Sequence, residues 1–379
     1  MNFTNQMKAF LVMMVLGQHL CFAYFSSFYD TAFSQATLLL RGDVAVGVLF
    51  LLSGWVLAAN LGDKDRVSHI WIWDRLGRLM LPMMAIFAGT YFIHLIGGGP
   101  WGQYLTSMGY DWGYLNPIGF LGELMPMDLA ASFLLQLVGF NDQIVLVAWI
   151  LKHELILSIE VFIAFRVKQR FGNTPAFLLV IIMAAITAVY SFGYGVHLAF
   201  FTGVVFRLAQ DNFGRQLPNR VLIGASVIVY ALIFVNSIQP DEWRVALIND
   251  GAAWLVKLMT DYKYWLFSGV APLVALFAHF CVKNRYFSTL LSWVGDRAYS
   301  LYLTSQAAMQ LSALFAYKLA IFLPVPLMIA VVIALTVLLS DLFYRFIEKP
   351  TKHLFSSLRI RYGALVRSKV QMSRNLEQS

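Results

Sequence analysis

The sequence predicts an all-α protein, a polytopic membrane bundle of about ten transmembrane helices with both termini in the cytoplasm. Three observations predict it. Charged residues are 13% of the 379-residue chain and hydrophobic ones 59%, whereas soluble domains carry roughly 25% charged residues. The mean hydropathy is +0.68, and the apolar residues fall into blocks near the ~20 that one bilayer crossing needs. Basic residues gather in alternate connections between those blocks, which sets an orientation.

Apolar spans run at roughly 8–28, 43–61, 77–96, 143–164, 175–191, 195–209, 221–238, 264–282, 298–317 and 324–346. With the N-terminus inside, the outer connections hold only Arg41, Arg244, Lys257, Lys263 and Lys318. Lys152 falls within a span, and every other lysine and arginine lies inside. The formal charge of +8 is therefore a topology signal, and no nucleic-acid partner is expected. A cleaved signal peptide fits poorly, because Lys8 is its only basic residue and Gln18 and His19 break its apolar core. An uncleaved first helix and a multi-pass protein of the cytoplasmic (inner) membrane follow. Cys21 and Cys281 sit in different spans without a pairing signature. No linker or repeat divides the chain, so residues 1–349 form one transmembrane domain. Residues 350–379 form a basic tail suited to anionic cytoplasmic lipid.

Two outer connections are long. The first, about 97–142, combines Trp101, Tyr110, Trp112 and Tyr114 with Asp111, Glu123, Asp128 and Asp142 and has no lysine or arginine. Its apolar part, Ile118 to Phe140, reads as re-entrant or interfacial. The second, about 239–263, carries Asp241, Glu242, Trp243 and Trp254. Aromatic residues beside acids suit both carbohydrate stacking and an aromatic belt at the headgroups.

Ionisable groups inside a bilayer are expensive and mark candidate sites. His19 lies 11 residues beyond Lys8, about three turns or 16 Å up the same helix face. Glu154, counted from an outer start near Gln143, reaches a similar depth, so the two can meet if their helices are neighbours. A neutral imidazole can take a proton from an attacking hydroxyl, and a carboxylate can orient it. A polar helix–helix contact explains the same pair without chemistry. Arg75 and Arg78, three apart, share a face at the start of the third span. Two guanidiniums there suit the phosphates of an acyl donor, or serve only as positive-inside anchors. Gly54, after Ser53, permits close packing or backbone approach to a ligand.

Lys152 and His153, just before Glu154, cannot share its face. His94 and His197 lie near outer helix ends, His279 near an inner one, and His69 and His353 in inner connections. No metal-binding pattern is present, and no metal is expected.

Together these residues resemble the acyltransferase 3 family, membrane O-acyltransferases of bacterial surface glycans. Lys8-x10-His19 is similar to the arginine, ten residues and histidine of the family's first helix. LFLLSGW, Leu49 to Trp55, resembles FF-x-x-SG-F. Arg75, Arg78 and Pro82 match R-x-x-R-x-x-x-P, and Trp149, Leu151 and Glu154 match W-x-L-x-x-E. Gly295, Tyr299, Tyr302 and Leu303 resemble G-x-x-SYS-x-YL, and FIEKP, Phe346 to Pro350, resembles the terminal IE-x-P. The resemblance covers nearly the whole chain. It implies ten core helices that pass an acyl group, most often acetyl, from cytoplasmic acyl-coenzyme A to a hydroxyl of an extracytoplasmic glycan or other hydroxylated metabolite. It assigns the catalytic roles to His19 and Glu154 and donor binding to Arg75 and Arg78, with Lys8. Two positions depart from the family: Lys8 replaces its arginine, and Ser305 stands at its late histidine, with Gln306 next. These departures leave a catalytically weakened member as one alternative. A solute transporter is the other, although it predicts two related halves with broken helices, and no such symmetry is visible.

Overall fold

The computed structural model describes residues 3–24, 41–61, 69–97, 149–190, 195–213, 227–228, 263–282, 285–320, 323–358 and 360–361. The outer connections between 98 and 148 and between 239 and 262 lie outside them. So do nearly all of the expected span at 221–238, the tail beyond 361 and the side chain of Lys152. Described residues are helical apart from short turns, and they include no strand.

The helices are α1 Phe3–Tyr24, α2 Gly42–Leu61, α3 His69–Gly97, α4 Trp149–Phe171, α5 Asn173–Tyr190 and α6 Val196–Phe213. They continue with the short α7 Lys263–Ser268, α8 Ala271–Val282, α9 Arg285–Asp296, α10 Ala298–Leu319 and α11 Val325–Phe343. Where the expected spans are described they are helical, but that at 264–282 is divided between α7 and α8, and that at 221–238 lies almost wholly outside the described residues. Among the described residues, α2 and the stretch from Val325 to Leu358 are both long and apolar enough to cross a membrane.

Large apolar side chains point outward as well as inward. Leu178, Ile181, Ile182 and Ile186 on α5, and Ile333, Val337, Leu338 and Leu342 on α11, are exposed. Outward apolar faces of this extent are what a lipid-facing bundle shows, because lipid replaces water as the solvent of that surface.

Helix α2 packs against α6 through glycines. A Cβ at Gly54 would collide with the Phe200 carbonyl, and one at Gly203 would collide with the Leu51 carbonyl. The contact is reciprocal, so the two backbones touch. Phe50, Phe200 and Phe201 fill the space beside it and are fully buried. At the α4–α5 junction Gly172 takes φ 93°, a conformation that glycine adopts at no steric cost, and the chain turns back within one residue.

Two features differ from the sequence reading. Residues 285–296, read as part of a connection, form the amphipathic α9. Leu291 and Val294 pack on Ala9 and Val12 of α1, while Tyr286, Phe287 and Leu290 stay exposed. Twelve residues are too few for a crossing, so a search for spans passes over them. The last helix also runs on past the expected boundary at 349. A π turn at Tyr344–Glu348 leads into 349–358, where Phe355 covers Gly77 of α3. These first residues of the expected surface tail are packed on the bundle.

Gly54→Ala is expected to push α2 and α6 apart at a cost of about 1–3 kcal/mol, the usual penalty of overpacking. Thermal unfolding of the detergent-purified protein measures it, with Gly89→Ala as the control because a Cβ there meets open space.

Candidate active site

One end of the bundle, where α3 and α10 begin and α11 runs out, gathers the charged side chains. Glu154 of α4 accepts from Ser53 Oγ on α2 at 2.8 Å and pairs with Arg75 Nη2 on α3 at 3.3 Å. Arg75 Nε donates to Ser158 Oγ at 3.1 Å. Ser158, one turn beyond Glu154, donates in turn to the Glu154 carbonyl at 2.6 Å. Three helices are thereby tied through one carboxylate and one guanidinium. Lys8 of α1 lies within electrostatic range of Glu154, Arg75 and Lys352 and makes no ion pair among the described residues.

Arg78 is engaged differently. Its Nε and Nη2 hold Asp74 at 2.7 and 2.9 Å, a bidentate pair one turn apart on the same helix, and Nη2 also donates to Ser356 at 3.0 Å. Asp74 is buried. Arg78 therefore enters the site already neutralised, and Arg75 is shared with Glu154. Beside them Trp71, Arg75 and Ser158 line a shallow, half-open crevice between α3 and α4 that holds no cavity of ligand size.

Glu348 closes this end. It is 1% exposed while Phe346, two residues earlier, is 73% exposed. The π turn re-aims the side chains after it, as π bulges do, and Glu348 comes inside. There it accepts from Ser300 Oγ of α10 and from Lys352 Nζ. Next to Ser300, Tyr299 donates its hydroxyl to the Leu79 carbonyl at 2.8 Å. That carbonyl lies just before Pro82, which sits within α3 and leaves the Arg78 carbonyl without its helical donor. Glu154, Glu348 and Arg75 all act electrostatically on Tyr299.

His19 is buried, with its ring against that of Tyr302, centroids 6.5 Å apart. Helix α10 connects it to the charged end: Tyr302 follows Tyr299 by about one turn. The expected direct pairing of His19 with Glu154 is not what the structure gives, because Glu154 spends its carboxylate on Ser53 and Arg75. Arg75 sits six residues into α3, about 9 Å from its start, and there its guanidinium meets the part-buried Glu154 carboxylate.

Of the five expected site residues, Arg75, Glu154 and Lys8 come together, Arg78 adjoins them through Asp74, and His19 stands off along α10. Sequence reasoning missed Asp74, Glu348 and Ser158 as parts of the site. The four-residue spacing of Asp74 and Arg78 on one helix was a usable signal. For Glu348 the signal was its place in FIEKP. Elsewhere, His153 Nδ1 lies 2.8 Å from His197 Nε2, so two histidines read separately form one contact between α4 and α6. Among the described residues no three His, Cys, Asp or Glu side chains form a group able to hold a metal.

An all-helical bundle with a buried histidine and a guanidinium–carboxylate cluster at its basic end defines a membrane protein with an internal polar site. The chain belongs to the acyltransferase 3 family, whose acyltransferase domain it matches over residues 1–345, and members of that family are membrane proteins. No curated protein and no solved structure gives a match.

Glu348→Leu is expected to strand the fully buried Ser300 hydroxyl and cost about 1–3 kcal/mol. Lys352→Met leaves the buried Glu348 carboxylate without its cation and is expected to cost more, about 3–5 kcal/mol. Unfolding midpoints of the two purified variants, compared side by side, check the asymmetry.

Proposed function

We propose that this chain is a membrane-bound O-acyltransferase of the cytoplasmic membrane, with ten transmembrane helices and both termini in the cytoplasm. It takes an acyl group, most simply acetyl, from cytoplasmic acyl-coenzyme A and places it on a hydroxyl of an extracytoplasmic glycan or other hydroxylated metabolite. The observation that carries the proposal is the buried His19 ring against Tyr302, one turn along α10 from the basic cluster, in a chain whose family is acyltransferase.

In this reading His19 takes the proton of the acceptor hydroxyl as its oxygen attacks the thioester carbonyl carbon. The C–O bond forms, the C–S bond breaks, and the leaving thiolate recovers the proton from the imidazolium. Lys8 and Arg75 hold donor phosphates at the basic end, with Lys8 making no ion pair to a carboxylate among the described residues. Glu154 acts through Arg75, holding the guanidinium with Ser53 and Ser158 as a positioning residue. Arg78, locked to Asp74 and Ser356, keeps the rim of the site in shape.

His19→Ala in membranes given labelled acetyl-coenzyme A is expected to lower acyl transfer by about 100-fold or more, the scale of a lost general base. Undiminished labelled product would remove the mechanism. Lys8→Gln is expected to raise KM for acetyl-coenzyme A by about five- to tenfold, with kcat changed far less, because one charged contact to phosphate is worth about 1–1.5 kcal/mol. Initial rates against donor concentration separate the two parameters, and an effect on kcat alone would move Lys8 out of the donor site.

A further inference from the structure

Helix α10 is buried on every side from Ser300 to Gln310, so the fate of each of its polar groups can be followed. Its serine and threonine hydroxyls are all engaged. Ser300 donates to Glu348, Thr304 to the Ser300 carbonyl at 2.8 Å, Ser305 to the Tyr302 carbonyl at 2.8 Å and Ser312 to the Met309 carbonyl at 2.8 Å. Gln306 and Gln310 are different. They are 3% and 0% exposed, and among the described residues neither amide nitrogen nor amide oxygen of either has a hydrogen-bond partner. Buried polar groups are almost always paired, so four bare amide atoms one turn apart require an account.

Their position supplies it. Residues four apart lie one above the other on a helix face, so Tyr302, Gln306 and Gln310 form a column that begins at the His19 ring and rises about 12 Å. The charged cluster with Arg75, Glu154 and Glu348 meets α10 at Tyr299 and Ser300, on the other side of Tyr302. Donor phosphates recognised by cations belong at that charged end. The glutamines stand beyond His19, where the molecule that brings the hydroxyl must lie. Each amide offers a donor and an acceptor, which matches the paired donor–acceptor character of neighbouring hydroxyls.

We propose that Gln306 and Gln310 form the acceptor subsite, holding a polyhydroxylated molecule so that one of its hydroxyls faces His19. The inference rests on the acyl-transfer reading and names the residues that select the acceptor class. It also accounts for the retention of two amides at a loss of stability, as functional sites do. Ser305, at the family's late histidine position, bonds its own helix and leaves the recognition to its neighbour.

The test uses the full-length protein with Gln306→Leu and Gln310→Leu, singly and together. Thermal unfolding in detergent is expected to show equal or higher midpoints for the variants, because a bare amide is replaced by a side chain content in that place. A marked fall would give the glutamines a structural partner and overturn the subsite. In membranes with labelled acetyl-coenzyme A, transfer to the cell's own polysaccharide fraction is expected to fall about tenfold for each variant, with KM for acetyl-coenzyme A unchanged. A raised donor KM would assign the column to the donor's amide-bearing arm and overturn the proposal, as would unchanged transfer. His19→Ala run in parallel separates the two levels. Transfer lost there but intact in the glutamine variants overturns the subsite alone. Transfer intact in His19→Ala overturns the acyl-transfer reading beneath it.

Discussion

A carboxylate and a guanidinium in an apolar bundle have one low-energy arrangement, which is to face each other with their remaining lone pairs and protons bonded. The Arg75–Glu154 pair meets that condition through Ser53 on one side and Ser158 on the other. The pair ties α2, α3 and α4 to a common level. It also gives the Ser53-Gly54 dipeptide a physical meaning. Ser53 turns to Glu154, while Gly54, about 100° around the helix, lets the α6 backbone touch α2. One residue fixes the depth of α2 and the next fixes its distance from α6.

The helices were legible because a long apolar run is a composition signal that needs no partner. Site residues were legible one at a time for the same reason: a charge in an apolar run stands out wherever it points. Partner choice was not legible. Depth counting sets a residue's level along its helix and not the neighbour its side chain turns to, so it could not choose Arg75 over His19 for Glu154. The inward position of Glu348 depends on a π turn, which breaks the 3.6-residue period by which faces are read from sequence. Helix α9 escaped for another reason, since its apolar stripe is only one-sided and belongs to α1 and its own surroundings. The Asp74–Arg78 pair was within reach at its four-residue spacing.

The basic end holds Lys8, Arg75, Arg78 and Lys352 against Asp74, Glu154 and Glu348. This near-balance makes the cluster affordable in a bundle, and it also decides which cation is available to a ligand. Arg78 is committed to a buried carboxylate in bidentate geometry, so releasing it would leave Asp74 uncompensated. Lys8 carries no such commitment. The lysine in place of the family arginine therefore stands at the position where the replacement has most effect: an ammonium offers a compact charge without the planar fork. In the proposed acyl-transfer reading, donor recognition would rest on Arg75 for geometry and on Lys8 for charge.

Helix α10 joins these parts because it meets the charged cluster at Ser300 and the His19 ring at Tyr302. Tyr299 and Ser300 face acids, Tyr302 faces His19, and Gln306 and Gln310 face neither. A helix buried on all sides gains nothing in stability from glutamine where leucine would fit, so its polarity is best understood by position along the axis. Hydroxyls that bond their own backbone carbonyls are neutral residents of an apolar core. Amides have no such internal outlet, because their reach past the helix surface takes them away from the carbonyls one turn back. The polar groups of α10 therefore fall into two kinds, those the bundle satisfies by itself and those it leaves for something that enters.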